Sequence, residues 1–143
     1  LFLSKHYVSV LGDGKILDVM RGGSDNPTAP GRVFAVTFEL FGQTFQALNG
    51  GPGFGFAPGI SLFVHCDTQE EIDRYWAGLT EGGKEVRCGW LVDRFGVSWQ
   101  VIPKILSSLL GDPDPAKASR AMQAMMTMQK LDIAALKKAH AGD

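Results

Sequence analysis

The chain has 143 residues, of which 45% are hydrophobic and 20% are charged, and its formal net charge is −1. These values are typical of one soluble domain that can bury a core, and they argue against a nucleic-acid-binding protein, which needs clustered Lys and Arg. No apolar run approaches the roughly 18 residues of a membrane-spanning helix. We therefore expect neither a membrane nor a nucleic-acid partner. The chain has only two cysteines, Cys66 and Cys88, and we expect both to be buried thiols in a protein of the reducing cytoplasm.

The first part of the chain predicts a helix followed by three strands. The predicted elements are a helix over 2–11 and strands over 15–21, 33–40 and 43–48. Glycines close the helix, and strict alternation gives the second strand one strongly apolar face. The turn Phe41-Gly42 joins the second and third strands into a hairpin. The Gly- and Pro-rich segments 22–30 and 49–59 are predicted loops, and the second one marks a module boundary.

The second part predicts a strand, a helix, three more strands and a helical tail. The predicted elements are strands over 60–66, 84–87, 90–93 and 97–103, a helix between Thr68 and Gly82, and tail helices over 116–130 and 133–139. Thr68 and Glu71 spell a capping box, and Asp114-Pro115 and Asp132 are helix starts. The tail carries a methionine stripe, Met122, Met125, Met126 and Met128, which favours core or dimer packing over a partner-binding face.

The two parts repeat one another. Phe41-Gly42-Gln43-Thr44-Phe45-Gln46-Ala47-Leu48 returns as Phe95-Gly96-Val97-Ser98-Trp99-Gln100-Val101-Ile102. A repeat of this kind indicates a duplicated module. We therefore predict an α+β fold of two βαβββ modules, at 1–50 and 57–103, with a helical tail at 112–140, in a single domain of 1–143. The first strand of the first module would lie upstream of Leu1, so we expect the native protein to have more residues there.

Several segments carry a family resemblance over nearly the whole chain. They are Tyr7-Val8-Ser9-Val10, 47–51, 66–71 with Trp76, 88–91, 93–100, and Asp112-Pro113-Asp114 with Met122 and Met125. These segments resemble the PhnB-like branch, often labelled 3-demethylubiquinone-9 3-methyltransferase-like, of the glyoxalase/bleomycin-resistance/dioxygenase superfamily, also called the vicinal-oxygen-chelate superfamily. The resemblance implies paired βαβββ modules and a homodimer.

The resemblance also implies places where a metal would bind, because enzymes of the superfamily hold a divalent cation with His and Glu. The matching positions here hold Ser61, Gln46 and Gln100. Neutral amide and hydroxyl oxygens make a poor cation site. His65 lies on the same strand face as Ser61 and could add a ligand, although a polar rim position is the favoured interpretation. We predict no catalytic metal.

The methyltransferase label implies an S-adenosylmethionine site. The segment Gly51-Pro52-Gly53-Phe54-Gly55 has the glycine spacing of a nucleotide-binding loop. Such a loop leads directly into a helix, whereas here 57–59 leads into a strand. The segment is therefore predicted to be a linker, and no cofactor is predicted.

Strand parity predicts a ligand-binding face of apolar and neutral polar side chains. The predicted ligand-binding residues are Gln46, Leu48, Ser61, Phe63, His65, Trp90 and Gln100, with Thr44, Ser98 and Ile102 on the same faces. This lining suits a small, weakly polar organic ligand. No Ser or Cys is spaced for activation by a His with an orienting carboxylate, so no catalytic residue is predicted. Asp93 and Arg94 are interpreted as a solvated turn pair.

Three functions remain open at the level of sequence. The leading hypothesis is a homodimeric small-molecule-binding protein without a catalytic metal. The second is an enzyme acting on a quinone-like or other aromatic substrate, with methyl transfer as the activity in the family label. The third is a drug-sequestering protein of the bleomycin-resistance type. The sequence leaves open the ligand, whether the protein is catalytic, and the role of Cys88.

Overall fold

A computed structural model describes residues 1–22, 31–49, 55–57 and 59–143. The chain divides into two compact units, Leu1–Gly55 and Phe56–Asp143. The predicted loop 22–30 and the predicted module boundary 49–59 fall largely outside the described residues. Among the described residues, no helix combines the length and the apolar character needed to cross a lipid bilayer.

Unit 1 consists of a helix and an antiparallel three-stranded sheet. Its elements in chain order are α1 (Phe2–Leu11), β1 (Gly14–Arg21), β2 (Val33–Leu40) and β3 (Gln43–Leu48). Helix α1 ends where Gly12 takes a left-handed conformation with φ 74°, which glycine adopts without strain. Tyr7 and Leu11 are buried, and the Tyr7 ring lies 6.5 Å from the Phe38 ring on β2. The elements predicted from the sequence of this part are confirmed.

Unit 2 contains the predicted βαβββ order. Its elements are β4 (Ser61–Cys66), α2 (Gln69–Thr80), β5 (Lys84–Glu85), β6 (Trp90–Val92) and β7 (Ser98–Pro103). The sheet order is β4-β7-β6-β5, with β4 parallel to β7 and the other pairs antiparallel. The α+β class is therefore confirmed, although β5 is only two residues long.

Helix α2 covers one face of this sheet. The Thr68 hydroxyl accepts a hydrogen bond from the Glu71 backbone N–H at 3.2 Å, as in the predicted capping box. The Glu71 carboxylate accepts from the Asp67 backbone N–H at 2.7 Å, one residue earlier than in a standard box. The helix then buries a stripe at helical spacing, Ile72, Tyr75, Trp76 and Leu79. The stripe packs on the sheet, which buries the alternate residues Val64 and Cys66 of β4.

Asp93 holds the β6–β7 hairpin together from inside. Its side chain is only 3% exposed. It accepts hydrogen bonds from the backbone N–H groups of Phe95 and Val97, at 2.9 and 3.0 Å, and from the Trp99 indole N–H at 2.9 Å. Arg94 points elsewhere and donates to the Glu81 carbonyl at 3.1 Å. The interpretation of Asp93 and Arg94 as a solvated turn pair is therefore wrong. Strand parity buries Trp99, and its indole N–H then needs a buried acceptor, which Asp93 provides.

The tail forms three helices with a core of their own. They are α3 (Leu106–Leu110), α4 (Pro115–Thr127) and α5 (Ile133–Ala141). The core consists of Ile102, Leu106, Leu109, Ala121, Leu131 and Leu136, with Met125 and Met128 packed against it. Helix α3 was not predicted. Helix α4 ends at Thr127, before the predicted 130, because the Met128 and Gln129 carbonyls accept from the Cys88 and Gly89 N–H groups, each at 2.8 Å.

The ends of the tail are fixed by polar contacts. The Asp112 carboxylate accepts a hydrogen bond from the Asp114 backbone N–H and lies 2.9 Å from His140 Nε2. The backbone hydrogen bond, with a further contribution from His140, lowers the pKa of Asp112 below its usual value. Arg120 donates to the carbonyls of Ala139 and His140 at 3.1 and 2.8 Å. These contacts fasten the end of α5 to α4 and to the segment before it.

Candidate functional site

The exposed face of the unit 2 sheet brings three of the predicted ligand-binding residues into one row. Phe63 on β4 lies opposite Gln100 on β7, and Trp90 on β6 lies opposite Gln100 from the other side. Laterally paired residues share a face of the sheet. The row therefore places one amide between two aromatic side chains, on the face opposite helix α2.

Ser61 fixes the orientation of the central amide. The Gln100 side-chain amide donates to the Ser61 hydroxyl oxygen at 3.0 Å, and both residues are half-buried. This contact uses one amide proton and leaves the Gln100 carbonyl oxygen available as an acceptor. The Ser61 hydroxyl can still donate. The pair therefore presents one acceptor and one donor, both neutral, beside the aromatic row.

His65 extends the aromatic surface along β4. Its ring centroid lies 4.7 Å from that of Phe63, with the planes tilted by 50°. Both side chains are exposed, Phe63 by 48%, while the alternate residues Val64 and Cys66 are buried. This alternation confirms the predicted parity of the strand. His65 contacts an aromatic ring there, which suits the rim position favoured from the sequence.

The tail helices cover this face of the sheet at Ile102. Parity places it beside Gln100, but it is only 7% exposed because it belongs to the core that the tail helices form. The expectation that Ile102 lines the ligand face is therefore wrong. Ser98, at the other end of β7, is also buried, with 7% exposure. The predicted ligand-binding residues of unit 2 that stay accessible on this face are Ser61, Phe63, His65, Trp90 and Gln100.

Unit 1 carries the other two predicted residues on β3. Gln46 pairs with Thr37, and Leu48 pairs with Ala35, so both lie on one face of the unit 1 sheet. Both are exposed, Leu48 by 64%. A register shift between Ile16 and Asp18 puts Asp18 opposite Thr37, in the same row as Gln46. Strict alternation would place Leu17 there, so sequence reasoning missed Asp18.

Comparison with known proteins identifies the family. The family model described as 3-demethylubiquinone-9 3-methyltransferase matches residues 3–102. A PhnB protein from Bacillus cereus, described as a candidate 3-demethylubiquinone-9 3-methyltransferase, is 32% identical over 71% of this chain and 88% of its own, with a TM-score of 0.65. The chain belongs to this PhnB-like family. The resemblance inferred from the sequence is thereby confirmed.

Two further solved structures resemble this member of the PhnB-like family. One is a protein from Pseudomonas aeruginosa with 22% identity over 69% of this chain and 84% of its own, and a TM-score of 0.58, which supports the fold. The other is a glyoxalase/bleomycin resistance protein from Albidiferax ferrireducens T118 with 21% identity over 73% of this chain and 89% of its own, and a TM-score of 0.45. No curated protein matches the chain.

The PhnB-like chain shows no cluster of conventional metal ligands in the part that the structure describes. Within residues 1–22, 31–49, 55–57 and 59–143, no three His, Cys, Asp or Glu side chains converge. At the positions that the resemblance assigns to metal ligands in unit 2, the Gln100 amide bonds to the Ser61 hydroxyl. Residues 51–54 of the segment considered for S-adenosylmethionine lie outside the described residues.

The two cysteines of this PhnB-like protein differ sharply. Cys66 is fully buried beneath helix α2, and burial, with a smaller effect of Glu71, raises the pKa of its thiol to about 12. It is a core residue, as the sequence predicted. Cys88 is half-buried, in the loop before β6, and its backbone has φ 58°. A positive φ is uncommon for a residue other than glycine, so the backbone around Cys88 is tightly constrained.

Proposed function

We propose that this protein binds a small, weakly polar organic molecule on the exposed face of the unit 2 sheet, and that the molecule carries an aromatic or quinone-like ring. The observation that carries the proposal is the Gln100–Ser61 hydrogen bond of 3.0 Å within an aromatic row. Phe63 and Trp90 flank the amide and provide apolar surface for a ring. The acceptor and donor of the pair suit hydroxyl or carbonyl groups on that ring.

We propose that Gln46 and Leu48 form a separate ligand-binding face on the unit 1 sheet. They combine an amide with an exposed apolar side chain on one sheet face, as the unit 2 site does. Asp18, in the same row as Gln46, adds a carboxylate to this set. No catalytic metal is proposed, because the single carboxylate of Asp18 beside neutral amide and hydroxyl groups makes a poor site for a divalent cation.

Removal of the Gln100 amide tests the proposal. We expect Gln100→Ala to weaken the binding of a short-chain 3-demethylubiquinone analogue by up to about tenfold, since a net hydrogen bond contributes about 0.5 to 1.5 kcal/mol and about 1.4 kcal/mol is a factor of ten. Isothermal titration calorimetry measures the dissociation constant. Gln123→Ala, which removes an exposed glutamine of α4, is the matched control and should leave binding unchanged. Equal affinity of Gln100→Ala and the parent would contradict the proposed site.

The family description favours a second candidate, an enzyme acting on a quinone-like substrate. The same variants separate the two classes. Loss of ligand affinity in Gln46→Ala and Gln100→Ala supports a binding protein, whereas loss of turnover with S-adenosylmethionine at retained affinity supports an enzyme. A cytoplasmic location stays a prediction from the sequence.

We also propose that the protein is a homodimer. Large apolar side chains are exposed on both units, including Phe34 at 55% and Ile60 at 76%. Exposed apolar surface of this kind often marks a contact with another chain. Multi-angle light scattering should give twice the monomer mass of 15.4 kDa. A monomer at micromolar concentration would rule out a stable dimer.

A further inference from the structure

Unit 2 contains a contact between the sulfur atoms of a cysteine and a methionine, neither of which is among the proposed ligand-binding residues. Cys88, in the loop before β6, and Met126, on helix α4, are 38 residues apart in the chain. Their sulfur atoms lie 3.7 Å apart. The Cys88 thiol is half-buried and the Met126 side chain is 53% exposed, so solvent reaches the pair. In the structure the contact is a weak hydrogen bond from a thiol to a thioether.

Backbone hydrogen bonds hold the loop that carries Cys88 next to the end of the helix that carries Met126. The Cys88 N–H donates to the Met128 carbonyl and the Gly89 N–H to the Gln129 carbonyl, each at 2.8 Å. These bonds fasten the loop to the residues that directly follow the last turn of α4. The backbones of Cys88 and Met126 are therefore held close together before any ligand binds. This reduces the conformational entropy lost when the two side chains bind an ion between them.

Helix α4 offers a second thioether beside the first. Met122 precedes Met126 by one helical turn, so the two side chains share a face of α4. Met122 is 43% exposed, in contrast to Met125 and Met128, which pack on the tail core. The methionine stripe is thus divided between a core pair and an exposed pair. We call Cys88, Met122 and Met126 the sulfur cluster.

We propose that the sulfur cluster binds one soft monovalent cation, Cu(I) or Ag(I), with Cys88 and Met126 as its main ligands and Met122 as a third. Thiolate and thioether sulfur select such cations over harder divalent ions. Two metal–sulfur bonds of about 2.3 Å span up to about 4.6 Å, so sulfur atoms 3.7 Å apart can share one cation in a bent arrangement. The cation replaces the thiol proton of Cys88, which passes to solvent, and no oxidation state changes.

The types of side chain available as ligands favour a soft monovalent cation over zinc. Zinc would need further His, Cys, Asp or Glu ligands, and the described residues contain no cluster of three such side chains. The other thiol, Cys66, does not compete, because it is fully buried in the core beneath α2. One equivalent of cation per chain is therefore expected.

Titration of the folded protein with Ag(I) tests the proposal. In a sample with ¹³C-labelled methionine methyl groups, one equivalent should shift the Met126 and Met122 signals and leave Met20 unchanged. Met20 is the matched reference, since it is 50% exposed and lies on β1 of unit 1. Unshifted Met126 and Met122 signals at one equivalent would overturn the proposal.

Two substitutions separate the cluster from a cysteine acting alone. Met126→Leu should weaken Cu(I) binding, measured against a chromophoric Cu(I) chelator under anaerobic reducing conditions, by at least about tenfold, the smallest loss typical of removing even an outer contact of a metal site. Cys88→Ser should abolish binding. Met20→Leu is the control and should bind as the parent does. If Met126→Leu keeps full affinity, the cation is held by the thiol alone and the proposal is wrong.

Discussion

Asp93→Ala is expected to lower the free energy of unfolding by about 3 kcal/mol or more, because it removes the acceptor of three hydrogen bonds and each buried donor that loses its acceptor costs about 1–3 kcal/mol. The substitution deprives three donors of their acceptor, the N–H groups of Phe95, Val97 and the Trp99 indole. Trp99 is only 3% exposed, so water cannot replace the lost carboxylate without opening the hairpin. At roughly 2–4 °C per kcal/mol for a chain of this size, the melting temperature should fall by about 6 °C or more.

Circular dichroism during thermal unfolding measures this change. Asp67→Ala is the control, because the Asp67 carboxylate also accepts a hydrogen bond, from Lys104 at 2.8 Å, but on a surface where the two side chains are 62% and 58% exposed. An exposed ion pair contributes at most about 1 kcal/mol. Asp93→Ala and Asp67→Ala with equal melting temperatures would show that Asp93 does not hold the hairpin.

Gly89→Ala is expected to destabilise the protein by about 2–5 kcal/mol through two separate effects. Gly89 has φ 81°, a left-handed conformation that costs an alanine about 1–2 kcal/mol. An added Cβ would also lie 2.8 Å from Ile102 Cδ1 and 2.9 Å from the Val101 carbonyl oxygen. Overpacking of this kind adds about 1–3 kcal/mol. Since the Gly89 N–H pairs with the Gln129 carbonyl, the tail should loosen as well.

Gly96→Ala separates the two effects. Gly96 has a similar φ of 86°, but among the described residues a Cβ there would meet only the Phe56 ring, at 3.9 Å. It should therefore show the conformational cost alone. Chemical denaturation of both variants gives their free energies of unfolding. If Gly89→Ala lowers the free energy of unfolding no more than Gly96→Ala does, the close packing of Gly89 against β7 and Leu131 does not contribute to stability.

The βαβββ order could be predicted because its signals are local. The alternation of Val64 and Cys66 with exposed neighbours follows from strand geometry, and the Thr68 cap follows from hydrogen bonding within one helical turn. The repeat then placed Gln46 and Gln100 at equivalent points of the two hairpins. Each of these inferences depends on sequence patterns alone, so no knowledge of the packing was required.

The features that were missed depend on contacts between distant parts of the chain. The burial of Ile102 requires the tail core, and the early end of α4 requires the Cys88–Gly89 loop, which lies far away in sequence. The place of Asp18 depends on a register shift that strict alternation does not contain. Proximity of Cys88 to Met126 likewise cannot be read from the spacing of either residue.

The parallel pairing of β4 with β7 has a consequence for protein synthesis. Ser61 and Gln100, which hydrogen-bond across these strands, are separated by 39 positions, and within the described residues β7 is the strand that pairs with β4. During synthesis, β4 and its exposed Phe63 therefore stay unpaired until the ribosome has translated β7, which ends at Pro103. Pairs so distant in sequence close slowly because the loop entropy is lost before any contact forms. The surface proposed to hold the ligand is thus assembled late, and until then it is a segment that a chaperone could recognise.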